Sequence, residues 1–395
     1  MSTLDEAQLF GALPNQPAIS TPALITAMLD SGAGISDLIF SPGRPPQVER
    51  HGELRPVDVP GCSIMRAMDT AQVARDLING NPHALRTLHE QGACDLSFAL
   101  PERTRFRVNV FKQRGSCAVV MRVIASRIPS LAELGLPASL ENVISLKNGI
   151  VLVTGQTGSG KSSTLAAILD RINETRAEHI LTIEDPIEFL HPHKKGTVHQ
   201  RELHADTPTF AAALRGALRQ APKVILVGEM RDRETIDIAL TAAETGHLVF
   251  STLHTIDASK TVERIVGAFD AGEQLTVRSR LAASFRYFIS QRLIPKHGGG
   301  RMAVLEILKS TMRTREYMQA GDTDGRTMLD AMRDGELEGM QCFDAELEKL
   351  IRAGTVDMAT GLLHATNPGN LRVQLADVPD APKAQKEEES LIERF

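Results

Sequence analysis

Tryptophan is absent from the 395 residues and tyrosine occurs only twice, so aromatics make up 4% of the chain. A surface that stacks bases on aromatic rings is not expected from so few. Positive charge is not in surplus either: 44 Lys and Arg stand against 49 Asp and Glu, a formal charge of −5. Non-specific nucleic-acid binders carry a basic excess, so no nucleic-acid partner is expected. The four cysteines, Cys62, Cys94, Cys117 and Cys342, form no Cys-x-x-Cys pair. That argues against a zinc ribbon or a disulfide framework, and for free thiols in a reducing compartment. No apolar run approaches the ~18–20 residues of a membrane-spanning helix. Met1-Ser2-Thr3-Leu4-Asp5-Glu6 lacks the basic and apolar segments of a signal peptide, and a cytoplasmic location is expected.

Hydrophobic residues at 42% and charged residues at 24% are ordinary for a globular chain. At ~100–200 residues per domain the length predicts two or three domains. Residues 1–20 read as a polar extension. Between 21 and 127, helices are predicted around Thr21–Ser31 and Thr70–Ile78. Strands are predicted at Leu38-Ile39-Phe40, at the alternating Arg105–Phe111 and at Val119-Val120-Met121. This is a compact α+β pattern. Pro129, Gly135 and Pro137 mark 128–140 as a linker. Beyond it, apolar strands at Ile150–Val153, Ile180–Ile183, Val224–Val227 and His247–Leu253 alternate with helices, one of them Asp232–Thr245. That alternation predicts an α/β, mostly parallel, doubly wound sheet. From about Asp257 onward the reading is nearly all helical, and 373–395 reads as a charged, disordered tail.

Gly155-Gln156-Thr157-Gly158-Ser159-Gly160-Lys161-Ser162, followed by Ser163, fits the phosphate-binding loop G-x-x-x-x-G-K-S/T. Its glycines let backbone N–H groups wrap the phosphates, Lys161 supplies charge to the β- and γ-phosphates, and the Ser162 hydroxyl reaches Mg²⁺. ATP and Mg²⁺ are therefore the expected ligands. The chemistry also needs carboxylates, one near the metal and one to orient the attacking water. Glu184-Asp185 and Glu229 end two of the predicted strands, and Gly228 stands where a magnesium-holding Asp would be usual. His247 and His254 bracket a strand and read either as structural or as sensors of the γ-phosphate. His191, His193, His199 and His204 lie close in sequence without the spacing of a metal site. Arg105, Arg107, Arg114 and Arg122 read equally as a solvated strand face or as arginines that stabilise phosphate charge.

Four motifs in order resemble the secretion ATPase superfamily, and within it the type IV pilus retraction ATPases of the PilT and PilU type. They are the Walker A loop 155–162, the acidic box Thr182–Phe189, the Walker B segment Leu226–Asp232 with its Gly228-Glu229 pair, and the histidine box Thr245–Thr255. Gln200-Arg201-Glu202, Phe210–Arg215 and Phe106-Arg107-Val108-Asn109 are also similar to family segments. The resemblance covers about 21–372. It implies a PAS-like N-terminal domain at 21–127, then a RecA-like ATPase domain with C-terminal helices at 141–372. It further implies that Glu184 activates water, that Glu229 holds Mg²⁺ through water, and that His254 and Lys161 serve the γ-phosphate. Arg107 and Arg122 would approach the nucleotide. A homohexamer is implied, bearing on an inner-membrane platform protein of the pilus machine.

Gln291-Arg292-Leu293-Ile294-Pro295 passes through 296–300 directly to Arg301, with no four-cysteine zinc insert. That favours retraction over extension. In the segment Arg313–Ala320 only Arg315 of the retraction signature is retained. The departure suits a divergent PilT paralogue or a PilU-like accessory motor working beside a paralogous retraction ATPase. An assembly or type II secretion ATPase without a zinc module is the further alternative.

Overall fold

The computed structural model describes residues 9–10, 19–101, 103–124, 127–321 and 327–378. The expected extension 1–20 lies almost wholly outside these, as does 379–395 of the expected tail. The chain forms two compact units, each made of two stretches: 1–128 with 173–228, and 129–172 with 229–395. The expected ATPase region 141–372 thus contributes to both.

In the first unit, helix Thr21–Asp30 starts where the Ser20 hydroxyl accepts the Ala23 N–H, with proline in its first turn. Six strands follow: β1 Ile35–Phe40, β2 Gln47–Arg50, β3 Glu53–Pro56, β4 Ala93–Leu100, β5 Thr104–Gln113 and β6 Ser116–Val123. They pair in the order β3-β2-β1-β6-β5-β4, every neighbour antiparallel. The alternation of β5 turns Phe106, Val108 and Val110 into the core. There they meet Leu24, Ile25 and Met28 of the first helix, and side chains of helices Ala67–Ile78 and Pro82–Gln91. Arg105, Arg107 and Asn109 are left on the opposite face.

Seven more strands follow in chain order: β7 Gly149–Thr154, β8 His179–Glu184, β9 Thr197–Glu202, β10 Val224–Val227, β11 Leu248–Leu253, β12 Phe285–Pro295 and β13 Arg301–Lys309. In the first unit β10, β8 and β9 lie side by side in that order, all parallel. In the second unit the order is β13-β12-β7-β11, with β7 parallel to both β11 and β12. Every residue of β7 and β11 is buried, as expected of parallel strands covered on both faces.

The long hairpin of β12 and β13 corrects the helical reading of the region after Asp257. Its strands pair from Tyr287↔Lys309 to Pro295↔Arg301, closed by a turn that holds Gly298, Gly299 and Gly300, all at positive φ. Helix Phe343–Arg352 covers the hairpin through Phe343, Leu347 and Ile351. Helix Pro368–Gln374 follows, and Leu371 and Leu375 are buried in the same cluster. Folded chain thus reaches Val378, past the boundary expected at 372.

Candidate active site

In the second unit β7 runs into the glycine loop, and helix Lys161–Thr175 starts on Lys161. Gly155 and Gly160 have φ of +143° and +91°. A Cβ on Gly155 would lie 2.4 Å from the Gln291 carbonyl oxygen, and one on Gly160 would lie 2.7 Å from Gln291 Nε2. Only glycine fits both places. Lys161 folds back over the loop, its Nζ donating to the carbonyls of Gly155 at 2.9 Å and Gln156 at 3.0 Å. Gln156, Thr157 and Gly158 are exposed, Ser162 and Ser163 are half-buried, and the buried hydroxyl of Ser159 has no partner. A glycine loop with no room for side chains, a cation and an unpaired hydroxyl at a helix start together suit a phosphate chain.

Gln291 was not foreseen as a site residue. From β12 its Nε2 donates to the Ser159 carbonyl at 2.6 Å, and its Oε1 accepts the Thr164 hydroxyl at 2.8 Å. It stitches the loop to the helix across more than a hundred residues of sequence, a relation that no local pattern carries.

Two further expected residues gather at the end of β11. The Gly155 N–H donates to the Leu253 carbonyl at 3.3 Å, and the Met230 N–H to the Thr252 carbonyl at 3.4 Å. Glu229 and His254 are thereby brought together, with His254 Nε2 3.5 Å from Glu229 Oε1 and Arg231 2.8 Å from Glu229 Oε2. His247 plays a local part: its Nδ1 lies 3.0 Å from the Ala242 carbonyl at the end of helix Arg233–Glu244.

Beside the loop lies a cavity of about 310 Å³, walled by residues 155–159, Ile256, Leu293 and the segment Leu363-His364-Ala365. Arg292 fixes that segment, donating to the His364 carbonyl and to Thr366 Oγ1 while its guanidinium lies 3.7 Å from the Phe343 ring centre. Close by, Glu306 is 3% exposed and accepts the Ala258 N–H at 2.8 Å. Burial pushes its pKa up to about 7 from 4.5, with Asp257 and Asp344 adding to the rise and Arg292 opposing it. A carboxyl whose folded pKa is raised holds its proton more tightly in the folded state, so stability falls as pH rises from about 4.5 to about 7. Glu306→Gln should match the parent near pH 4.5 and exceed it at pH 8, by on the order of 3 kcal/mol. Urea unfolding at the two pH values measures this, and equal stabilities at pH 8 would refute it.

In the first unit Glu184 ends β8. Thr182 Oγ1 donates to its Oε1 at 2.5 Å and Gln200 Nε2 to the same oxygen at 3.0 Å. Packing around the carboxylate raises its pKa, against these donors and the Glu188 N–H. The Gly228 N–H donates to the Ile183 carbonyl at 2.7 Å, and a Cβ there would stand 3.2 Å from that oxygen. Gly228 thus stands where the two strand ends come close, at the position where an Asp is usual.

Arg107 and Arg122 are cross-strand neighbours on β5 and β6, both exposed on one face of the N-terminal sheet. Arg122 Nε pairs with the buried Asp37 at 2.9 Å. Arg105 fits neither of its expected readings. Its guanidinium donates at 2.8 Å to Glu202, whose side chain is 4% exposed and also accepts Ser97 Oγ at 2.8 Å and the Ile187 N–H at 3.1 Å. Among the described residues the histidines form no metal-binding group: His199 lies 2.9 Å from His179 with its ring 6.1 Å from that of His193, and His204 stacks on His83.

A phosphate loop after a buried parallel strand, with carboxylates at the ends of other strands, defines a P-loop nucleoside-triphosphatase of the α/β class. Residues 88–353 match the type II/IV secretion system protein family. The chain is 44% identical to the type IV pilus retraction ATPase PilT of Pseudomonas aeruginosa, over 88% of its own length and 99% of that protein's. It is 36% identical to the type IV pilus ATPase PilU of the same organism, over 89% and 90%. A crystal structure of the pilus retraction motor PilT with bound ADP superposes with a TM-score of 0.78 at 39% identity, covering 90% of this chain and 99% of that one. The chain belongs to the PilT and PilU family of secretion ATPases.

Proposed function

We propose that this protein is a Mg-ATPase motor that powers type IV pilus retraction and hence twitching motility. It works in the cytoplasm as a homohexamer against an inner-membrane platform protein. The observation that carries the reading is the phosphate loop, in which Gly155 and Gly160 have room for no side chain and Lys161 caps the cradle. Near full-length identity to PilT supports the step from nucleotide hydrolysis to pilus retraction. The six antiparallel strands with helices on one face support a PAS-like N-terminal domain at 21–127. The buried parallel strands support a RecA-like ATPase domain at 141–372.

The residues divide the work. Backbone N–H groups of Thr157, Gly158 and Gly160 and the Lys161 ammonium hold the β- and γ-phosphates, with Ser163 beside them. The cavity walled by Leu293 and Leu363–Ala365 takes the nucleoside end. The Ser162 hydroxyl and the Glu229 carboxylate are hard oxygen donors of the kind magnesium accepts, and they would hold it, Glu229 through water. The ion supplies charge that offsets the phosphate oxygens. His254, held beside Glu229, faces the γ-phosphate. Glu184 takes the proton of the attacking water, and Arg107 and Arg122 serve the phosphate charge.

The purified chain should hydrolyse ATP as a hexamer by light scattering, and Lys161→Ala should lower turnover at least ~100-fold by removing the charge that steadies the transition state. Absence of turnover in the parent would overturn the motor reading. Tight ATP binding without turnover would support the second reading, an accessory subunit beside a paralogous motor, which the departures in Arg313–Ala320 motivate.

A further inference from the structure

We propose that Gln200 is a positioning residue that sets the orientation of the Glu184 carboxylate for water activation. The proposal rests on the reading of Glu184 as the base.

Gln200 stands on β9 directly across from Thr182 of β8. Its side-chain amide is engaged at both ends. Nε2 donates to Glu184 Oε1 at 3.0 Å and to the Phe189 carbonyl at 2.9 Å, while Oε1 accepts the His191 N–H at 2.8 Å. A flipped amide would set its oxygen against a carboxylate and a carbonyl, and its NH₂ against an N–H. The three partners therefore admit one orientation. That single orientation delivers an N–H to Glu184 Oε1, where the Thr182 hydroxyl also arrives. Two donors from adjacent strands converging on one oxygen fix the plane of the carboxylate and direct its remaining capacity elsewhere. A general base has to meet its proton within hydrogen-bond reach, so a carboxylate free to rotate spends less time in the productive geometry. Neither Gln200 nor Thr182 belongs to the phosphate loop; what they hold is the Glu184 carboxylate and, for Gln200, the backbone at Phe189 and His191 as well.

The test uses the full chain with Gln200→Met, which keeps length without donors, and Gln200→Glu, which keeps shape and the acceptor for His191 but sets a second carboxylate against Glu184 Oε1. Both should lose ~10–100-fold in kcat with KM for ATP and affinity for a fluorescent ATP analogue unchanged, because the loss falls on orientation, while the unmet Phe189 and His191 backbone groups lower Tm. A kcat within twofold of the parent in either variant overturns the proposal. A decline of ATP affinity together with kcat in both assigns Gln200 a structural role and overturns it equally. Glu184→Gln separates the two levels: retained turnover there refutes the base itself. Lost turnover there, with normal turnover in the Gln200 variants, refutes only the positioning.

Discussion

Glu184→Gln is expected to lower ATP turnover by ~10²–10⁴-fold while leaving nucleotide affinity within a few-fold of the parent. The substitution preserves shape, and an amide oxygen still accepts from Thr182 and Gln200, so the β8–β9 pairing at this point has no reason to change. What disappears is the capacity to take a proton. The surrounding protein already raises the basicity of Glu184, through desolvation that Thr182, Gln200 and the Glu188 amide only partly offset. That suits it to accept a proton from water. The measurement is steady-state hydrolysis beside equilibrium binding of an ATP analogue. Turnover close to that of the parent would remove Glu184 from the chemistry and direct attention to Glu229.

Arg105→Met should cost ~3–5 kcal/mol of stability, because it removes one partner of a buried pair and strands the other. Glu202 is the more buried of the two, at 4% side-chain exposure against 21% for Arg105. Losing the arginine therefore leaves a carboxylate in a place that water scarcely reaches, with Ser97 and the Ile187 N–H as its remaining donors among the described residues. Glu202→Gln should cost less, since the amide keeps an acceptor for those donors and the arginine can turn toward solvent. Urea unfolding of the two variants gives the ordering. A larger loss in Glu202→Gln would contradict the asymmetry.

The phosphate loop was legible because its requirements are local. Each glycine is demanded by a backbone angle or a near neighbour, and the lysine follows within the same turn. Strands β1, β5, β6, β7, β8, β10 and β11 were legible from alternation or from short apolar runs. The hairpin was not, because helix Gln274–Ser284 enters β12 with no breaker and Phe285–Pro295 shows no clean period of two. The glycine run at 298–300, bounded by apolar stretches, was the signal that could have revealed it. Gln291, Gln200 and the Leu363–Ala365 segment act through partners distant in the chain or on neighbouring strands, which spacing does not record. Arg105 was visible as an unusual cation, but its partner Glu202 lies 97 residues away, so no local reading could separate a buried pair from a solvated face.

That separation bears on the order in which the molecule is made. Residues 1–128 leave the ribosome first, yet their unit is completed only by 173–228, after the phosphate loop and its helix have been synthesised. Through this interval Arg105 and Ser97 wait for a carboxylate not yet translated. A fragment ending within 128–140, where the sequence reads as a linker, would stay in that waiting state for good. Such a fragment would carry the six-stranded sheet but not the acid that belongs against it.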